Sequence, residues 1–303
     1  MNLTNPIFQD ADKAREHLQA IRWPNGAICP HCGDMENAKE LTGKSHRPGL
    51  FKCYSCDGHF TVTVGTVFEK SKVPLNKWVL AAHLIAASKK GYSAHQLHRT
   101  IGVSYKTAWF MMHRLREAMT VKATGDLGGG GGIVEADETY WGHCKQSKGY
   151  VAAPPRGGFG HKEKIVSLVE RGGQVRSFHI PSVNATTLRA VLTSNIAKDA
   201  NLMTDESRNY KAVGKEFASH QIVNHSRGEY SRGKATTNTV EGYFSILKRG
   251  LIGTYHHVSP THLQRYMEEF DFRYNSRSSL GYTDTDRAAM LLKNIGGKRL
   301  MYY

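Results

Sequence analysis

Apolar residues recur at helical spacing up to about residue 119 and at strand-like intervals beyond residue 132. In the stretch DADKAREHLQAIRW, residues 10–23, the spacing puts Ala14, Leu18 and Ile21 on one face of a short helix, which Pro24-Asn25-Gly26 ends. From Leu75 to Lys89 the same period returns, with Trp78, Ala82 and Ile85 on one stripe. Residues 93–119 read as two further helices. Ser93 caps the first and Leu97 and Ile101 face inward from it; Gly102 sits in the turn; Ser104 caps the second, whose inner positions are Ala108, Met111, Met112 and Leu115.

Beyond the run DLGGGGG the pattern changes to short β-rich segments: IVEADETYW, KIVSLVER and QVRSFHI, then a helical stretch from Asn184 to Lys198, then NLMTDES and HQIVNHS. Two longer helices follow, near 238–249 and 260–274, before a basic tail. Glycine gains nothing by ordering, so the run at 126–132 reads as a flexible joint and a domain boundary. The expected organisation is a helix and cysteine-rich segment over 1–70, a helical pair over 71–125, the joint, a domain of strands and helices over 133–285, and a basic tail over 286–303. The fold class is therefore multidomain, mostly α at the N-terminal end and α/β with a mixed sheet beyond the joint.

The length of 303 residues excludes a single small domain. Lys plus Arg, 41, against Asp plus Glu, 26, leaves a formal charge of +15, with 16 histidines besides. A field of that sign favours a polyanion, and nucleic acid is the first candidate; the competing reading is a basic protein with no such partner. The N-terminus has no apolar run and carries Asp10 and Asp12 early, and no stretch approaches the ~18 apolar residues needed to cross a bilayer. The expectation is a cytoplasmic protein that works on the nucleoid, without a membrane partner, where thiols stay reduced.

That compartment matters for the cysteines. Cys29-Pro-His-Cys32 and Cys53-Tyr-Ser-Cys56 are two Cys-x-x-Cys knuckles with 20 residues between them, the spacing of a four-thiolate zinc site. Gly33 and Gly58 are expected to relieve the turns. A disulfide or a redox dithiol is the alternative, disfavoured by the compartment and by the paired arrangement. His31 and His59 could each replace a thiolate, but the four cysteines already fill the coordination shell. With no open position the zinc would be structural. Cys144 stands alone.

In a helix-turn-helix that binds DNA, the start of the second helix meets base edges. Here those residues are Ser104, Tyr105, Lys106 and Thr107, with Arg114 and Arg116 near phosphates; an ordinary helical hairpin is the alternative. Asp137 ends the strand-like run from Gly132 to Ala136 and Asp205 ends a second from Leu202 to Thr204, so both acids are expected at strand ends, where an acid is usually a turn or cap residue. Glu241 is better framed. With Val240 at zero and about 100° per residue, Phe244, Leu247 and Leu251 form a core stripe, while Glu241, Lys248 and Ser245 fall at about 100°, 80° and 140° along its edge. Three converging carboxylates need cations to stay ionised, and hard oxygen ligands suit Mg²⁺ or Mn²⁺.

The two knuckles, the helical pair, Asp137-Glu138-Thr139-Tyr140, Thr204-Asp205 and the run from Asn238 to Arg249 together resemble the fifteen-ninety-five group of bacterial insertion-sequence transposases. Tyr255 to Pro260 and Phe270 to Asn275 resemble it too, so the likeness spans nearly the whole chain. It implies a zinc ribbon, a ribonuclease-H-like α/β domain of the DDE type, and Asp137, Asp205 and Glu241 as catalytic ligands of two Mg²⁺ or Mn²⁺ ions. It further implies cleavage and strand transfer of DNA, with the element's terminal inverted repeats and the target as partners, Lys248 and Arg249 on DNA near the cut, and at least a dimer holding both ends. Asn238 is either a secondary ligand or a helix N-cap, the cap preferred. Two other readings stay open: a zinc-ribbon regulator descended from an inactive transposase, and a hydrolytic nuclease of the same fold.

Overall fold

The computed structural model describes residues 2–121, 124–142 and 162–300, in two compact units: residues 1–121 with 281–303, and residues 122–280. Cys144 lies outside the described residues.

The first unit begins with α1, Pro6–Gln9, and α2, Ala11–Arg22, whose N-cap Asp10 accepts from the N–H groups of Asp12 and Lys13. A three-stranded antiparallel ribbon follows, β1 Ala38–Glu40, β2 Phe51–Cys53 and β3 His59–Phe60. Trp23, Phe51 and Phe60 pack ring to ring beneath it. Next come α3 Leu75–Ala87, α4 Ala94–Ile101 and α5 Tyr105–Met119. The caps fall where the sequence puts them: Ser93 Oγ accepts from Gln96 N–H and Ser104 Oγ from Thr107 N–H, and Gly102 closes α4 at φ +61°. The inward positions of both helices, Leu97, Ile101, Ala108, Met111, Met112 and Leu115, are all buried.

The second unit is built on a five-stranded sheet: β4 Ile133–Trp141, β5 Glu163–Glu170, β6 Val175–Ile180, β7 Asn201–Thr204 and β8 Ser219–Ile222, with α6 Ala185–Thr193 between β6 and β7 and α7 Tyr210–Val213 after β7. The order is β6-β5-β4-β7-β8. β4, β5 and β6 form an antiparallel meander, while β7 and β8 run parallel to β4, the mixed sheet expected of a ribonuclease-H-like domain. A short hairpin, β9 Ser231–Arg232 with β10 Ala235–Thr236, leads into α8, Asn238–Gly250, and α9, Pro260–Asn275.

Alternation along the strands divides the core in two. Val134, Ala136, Val166, Leu168 and Leu202 pack with Leu188, Leu192 and Tyr210 from α6 and α7 on one face. Ile165, Val169 and Val175 pack with Val240, Phe244, Leu247, Met267 and Phe270 from α8 and α9 on the other. The stripe Val240-Phe244-Leu247-Leu251 is buried as its spacing requires. α9 also closes the open edge of β6 with side chains. Gln264 accepts from His179 N–H, Asp271 from Ser177 N–H, and Asn275 both accepts from and donates to the Val175 backbone. An edge strand left bare would invite pairing with another chain.

Three expectations need correction. The glycine run forms an ordered turn of the second unit. Gly128 N–H donates to Glu170, Gly130 N–H to Asp199 and Gly132 N–H to Gly128 O, and Leu127 bridges to Ile196. The glycines serve close approach there: a Cβ at Gly128, φ +74°, would lie 2.6 Å from Val134 Cγ2 and 2.7 Å from Ala200 Cβ. The stretch read as a basic tail instead holds α10, Asp284–Lys293, with a capping box at Thr283; it packs on α3, and Arg287 donates to Ala86 O. In the second knuckle the left-handed residue is Asp57, φ +54°, and not Gly58. Gly58 leaves room instead, since a Cβ there would lie 2.8 Å from the His31 ring and 3.2 Å from Cys56 Sγ. No described helix is long and apolar enough to cross a membrane.

Candidate active site and cysteine centre

The four knuckle thiols converge. Cys29 Sγ lies 3.7 Å from Cys56 Sγ and Cys32 Sγ lies 3.6 Å from Cys53 Sγ, with all four within 4.8 Å of one another. Four sulfurs about 2.3 Å from a central zinc would be about 3.8 Å apart, so the geometry fits a tetrahedral structural site. Two backbone-driven turns aim the pairs, and β2 supplies Cys53 from a buried strand end. Burial works to raise Cys29, but the N–H groups of Cys32 and His31 and the neighbouring thiols outweigh it and pull it down to about 7. The Asp34 N–H favours the Cys32 thiolate, yet burial and the other three sulfurs push it up to about 12. One thiolate opposes the next, which a dication resolves. His31 Nε2 sits instead against His59 O at 3.4 Å.

The carboxylates are assembled differently, and Asp137 stands in the middle of β4 rather than at a strand end. β4 and β7 pair in parallel, with Val134 opposite Leu202 and Glu135 opposite Met203. Continuing that register by two residues sets Asp205, just past the end of β7, level with Asp137 and on the same face of the sheet. That face is the one α8 covers, and Glu241 stands in the first turn of α8. Burial first, and then the negative charges of Glu138, Asp205 and Glu241, push the Asp137 carboxyl up to about 8, although the Glu138 N–H donates to it at 2.8 Å. Asp205 is likewise raised, by burial and by Glu206, against the opposing Ser207 N–H and His225. A site where burial and neighbouring carboxylates disfavour ionisation is one that a hard cation fits. The acids are not gathered to one point, however: among the described residues only the four cysteines form a group of three or more potential ligands within 4.8 Å.

Several residues that the sequence reading passed over hold these acids. Glu138, on the opposite face of β4, accepts from the buried Tyr210 hydroxyl at 2.6 Å; Tyr210 opens α7, five residues after Asp205. That bond ties the segment carrying Asp205 to the residue beside Asp137. Thr237 Oγ1 donates to Glu241 Oε1 at 2.7 Å, and His225 Nε2 lies 3.1 Å from Thr237 Oγ1 and 3.5 Å from Glu241 Oε1. The His225 turn is itself held by Glu206, which accepts from the N–H groups of His225 and Ser226. The strand pattern did carry a signal. Glu135 occupies a position facing the core in IVEADETYW, and a charge there must find partners.

Of the other expected site residues, Ser104, Tyr105 and Lys106 are exposed at the start of α5, Tyr105 stacked on His95 with ring centres 4.2 Å apart, while Thr107 is half-buried and bonded to Ser104. Lys248 and Arg249 are exposed on α8. Three assignments change. Arg114 is not free for phosphate: its guanidinium donates to Val67 O and Glu69 O, and Arg116 is buried. Asn238 is not the cap of α8, because that position belongs to Thr237.

Comparisons with known proteins extend this picture. Residues 129–275 match the ISXO2-like transposase domain, and residues 9–59 match the transposase zinc-ribbon domain. The chain is 30% identical over 279 residues to an uncharacterized protein in transposable element ISH50 of Halobacterium salinarum, covering 88% of this chain and 91% of that one. Among solved structures, the Mos1 strand transfer complex aligns with 67% of this chain and 77% of its own at 12% identity and a TM-score of 0.21. The Mos1 mariner paired-end complex with Mn aligns with 63% and 74% at 14% identity and a TM-score of 0.20.

Proposed function

The chain belongs to the ISXO2-like transposase family of the fifteen-ninety-five group, and on that premise we propose that it cuts the terminal inverted repeats of an insertion sequence and joins them to target DNA at a site formed by Asp137, Asp205 and Glu241. The observation that supports the reading is the parallel register of β4 and β7, which, continued two residues, brings Asp205 just past the end of β7 level with Asp137, on the face covered by the helix whose first turn carries Glu241.

The three carboxylates would hold two divalent ions, Mg²⁺ or Mn²⁺. Such ions, when bound, supply the charge that activates a water or a 3′-hydroxyl and stabilises the leaving oxygen of an in-line displacement at phosphorus. What the chain contributes is position. Thr237 fixes the Glu241 carboxylate by its hydroxyl, and the Glu138–Tyr210 bond holds the Asp205 segment. The exposed start of α5 reads the repeat, with Ser104 and Thr107 engaged in capping and Tyr105 and Lys106 presented to DNA. Lys248, seven residues after Glu241 on the same helix, and Arg249 contact backbone phosphates beside the cut. The zinc ribbon is structural. Two transposon ends require at least two copies of the chain.

Asp205→Ala tests the site. The variant should bind a duplex bearing the terminal repeat as the parent does and cleave it roughly a thousandfold more slowly in Mg²⁺, since metal charge stabilisation is worth several kcal/mol and each 1.36 kcal/mol is tenfold in rate. Unimpaired cleavage would remove Asp205 from the triad. Cleavage by the parent without joining of a pre-cut end to a target plasmid would favour the nuclease reading.

A further inference from the structure

Resting on that reading of Asp137, Asp205 and Glu241, we infer that Glu135 is a positioning residue, which sets the distance between Asp137 and Glu241 by capping helix α8 from strand β4. Its carboxylate is wholly buried, two residues before Asp137 and on the same face of the strand. Oε2 accepts from the Thr239 N–H at 2.7 Å and the Val240 N–H at 3.0 Å. Oε1 accepts from Thr239 Oγ1 at 2.9 Å and Arg171 Nε at 2.6 Å.

These bonds reverse the usual division of labour at a helix start. The first N–H groups of a helix are ordinarily satisfied by the N-cap side chain, and threonine is a good cap. Thr237 occupies that position in α8 but makes no side-chain cap bond, and its hydroxyl donates to Glu241 instead. Glu135 caps in its place, from a residue more than a hundred positions earlier, and its negative charge suits the positive end of the helix dipole. Thr237 is thereby released to orient a ligand. β4 is hydrogen-bonded on both sides, by β5 and β7, so it is a stiff ruler. One strand then carries both Asp137 and, about 6.8 Å along, the anchor for the helix turn that carries Glu241. Arg171 completes the device. It neutralises the buried carboxylate and donates through its other nitrogens to Lys234 O at 2.8 Å and Thr236 O at 2.9 Å, which fixes the hairpin that feeds α8.

The test uses the full zinc-loaded chain with Mn²⁺ as the probe. Mn²⁺ binding to the DNA-free protein is followed by electron paramagnetic resonance, and cleavage of a repeat-bearing duplex is followed as a function of Mn²⁺ concentration, for the parent, Glu135→Gln and Asp137→Asn. Glu135→Gln keeps the size of the side chain but sets an amide NH₂ against donors. The expected result is Mn²⁺ affinity weakened about 10–100-fold, the usual cost of losing a group that orients metal ligands. A merely structural carboxylate would lower the melting temperature and leave the Mn²⁺ affinity of the folded protein where it was. Parent binding that Asp137→Asn removes but Glu135→Gln leaves intact, with cleavage unchanged, overturns the inference alone. Parent binding that Asp137→Asn does not diminish overturns the triad itself. Should Glu135→Gln fail to fold, Arg171→Lys retains the neutralising charge and releases the hairpin carbonyls. A smaller weakening is expected for it, and an unaltered Mn²⁺ affinity overturns the inference.

Discussion

The cysteine cluster and the proposed carboxylate site are both sets of side chains suited to a metal, yet the chain builds them by opposite means. Each cysteine pair is delivered by one tight turn, and two turns complete a cluster whose sulfurs already stand 3.6–3.7 Å apart across its pairs. The acids come from a strand, the end of a second strand and the first turn of a helix, spread from residue 137 to residue 241. They stay apart until held by residues that are not ligands: Glu138 through Tyr210, Glu206 through the His225 turn, and Thr237 on Glu241. A structural ion needs its ligands closed around it, whereas a catalytic site keeps room for substrate. On the proposed function, the difference in construction follows from that difference in task.

The largest effect that could break this comparison concerns zinc. A structural zinc contributes about 10–16 kcal/mol to the fold of a small module. Cys53→Ser, or stripping the metal with a chelator, should therefore open residues 26–60 to protease while leaving the thermal transition of residues 122–280 in place. If both regions melted together, the cysteine centre would not be the local device described above. The second test falls on the scaffold of the acids. Gly128→Ala places a Cβ against Val134 and Ala200 at a left-handed backbone position. Overpacking and strain should each remove about 1–3 kcal/mol, read as a lower melting temperature of the residue 122–280 unit. An unchanged transition would return the glycine run to the role of a flexible joint.

These contrasts explain what could be read from the sequence. The knuckles were legible because the physics is local: residue type and a two-residue gap decide the geometry. So were the helical pair at 94–119, with its two serine caps, and the apolar stripe of α8. Asp137 and Asp205 were weak as isolated acids, since what aligns them is the parallel register of β4 and β7, a pairing across some seventy residues that no local period reports. Only family resemblance joined them to Glu241. The glycine run misled because composition describes an unfolded preference, while the ordering comes from Glu170 and Asp199, both remote in sequence. α10 was missed for a similar reason: a basic, short segment reads as tail until its partner α3 is known. Asp271 carried a family motif without a role; in the structure it caps the β6 edge and bonds Tyr243.

That buried acid gives the third test. Burial pushes the Asp271 carboxyl up to about 7, against the opposing hydrogen bonds of Tyr243 and Ser177 and with some help from Glu268. An unfolded aspartate titrates near about 4. Between those values the folded protein binds more protons than the unfolded one. The stabilisation from the protonated form is then complete below about pH 4 and lost as the pH rises through 7. Asp271→Asn cannot titrate, so the gap in melting temperature between parent and variant should shrink across that window. Parallel curves would mean that Asp271 is ionised within the fold.

The smallest expected effect is the most specific to DNA. Glu241 and Lys248 lie seven residues apart on α8, so on the proposed function whatever holds the helix for metal also aims a cation beside the cut. If Lys248 neutralises one phosphate, Lys248→Ala should weaken binding to a repeat-bearing duplex similarly across sequences. It should also reduce the slope of log affinity against log salt by about 1, because one fewer counterion is released. Mn²⁺ affinity of the DNA-free protein should stay at the parent value, in contrast to variants that disturb the seating of Glu241. An unaltered salt slope would make Lys248 an ordinary surface lysine. A loss of Mn²⁺ affinity with the slope retained would place it among the residues that hold the acids, and so shift the boundary between scaffold and DNA surface along the same helix.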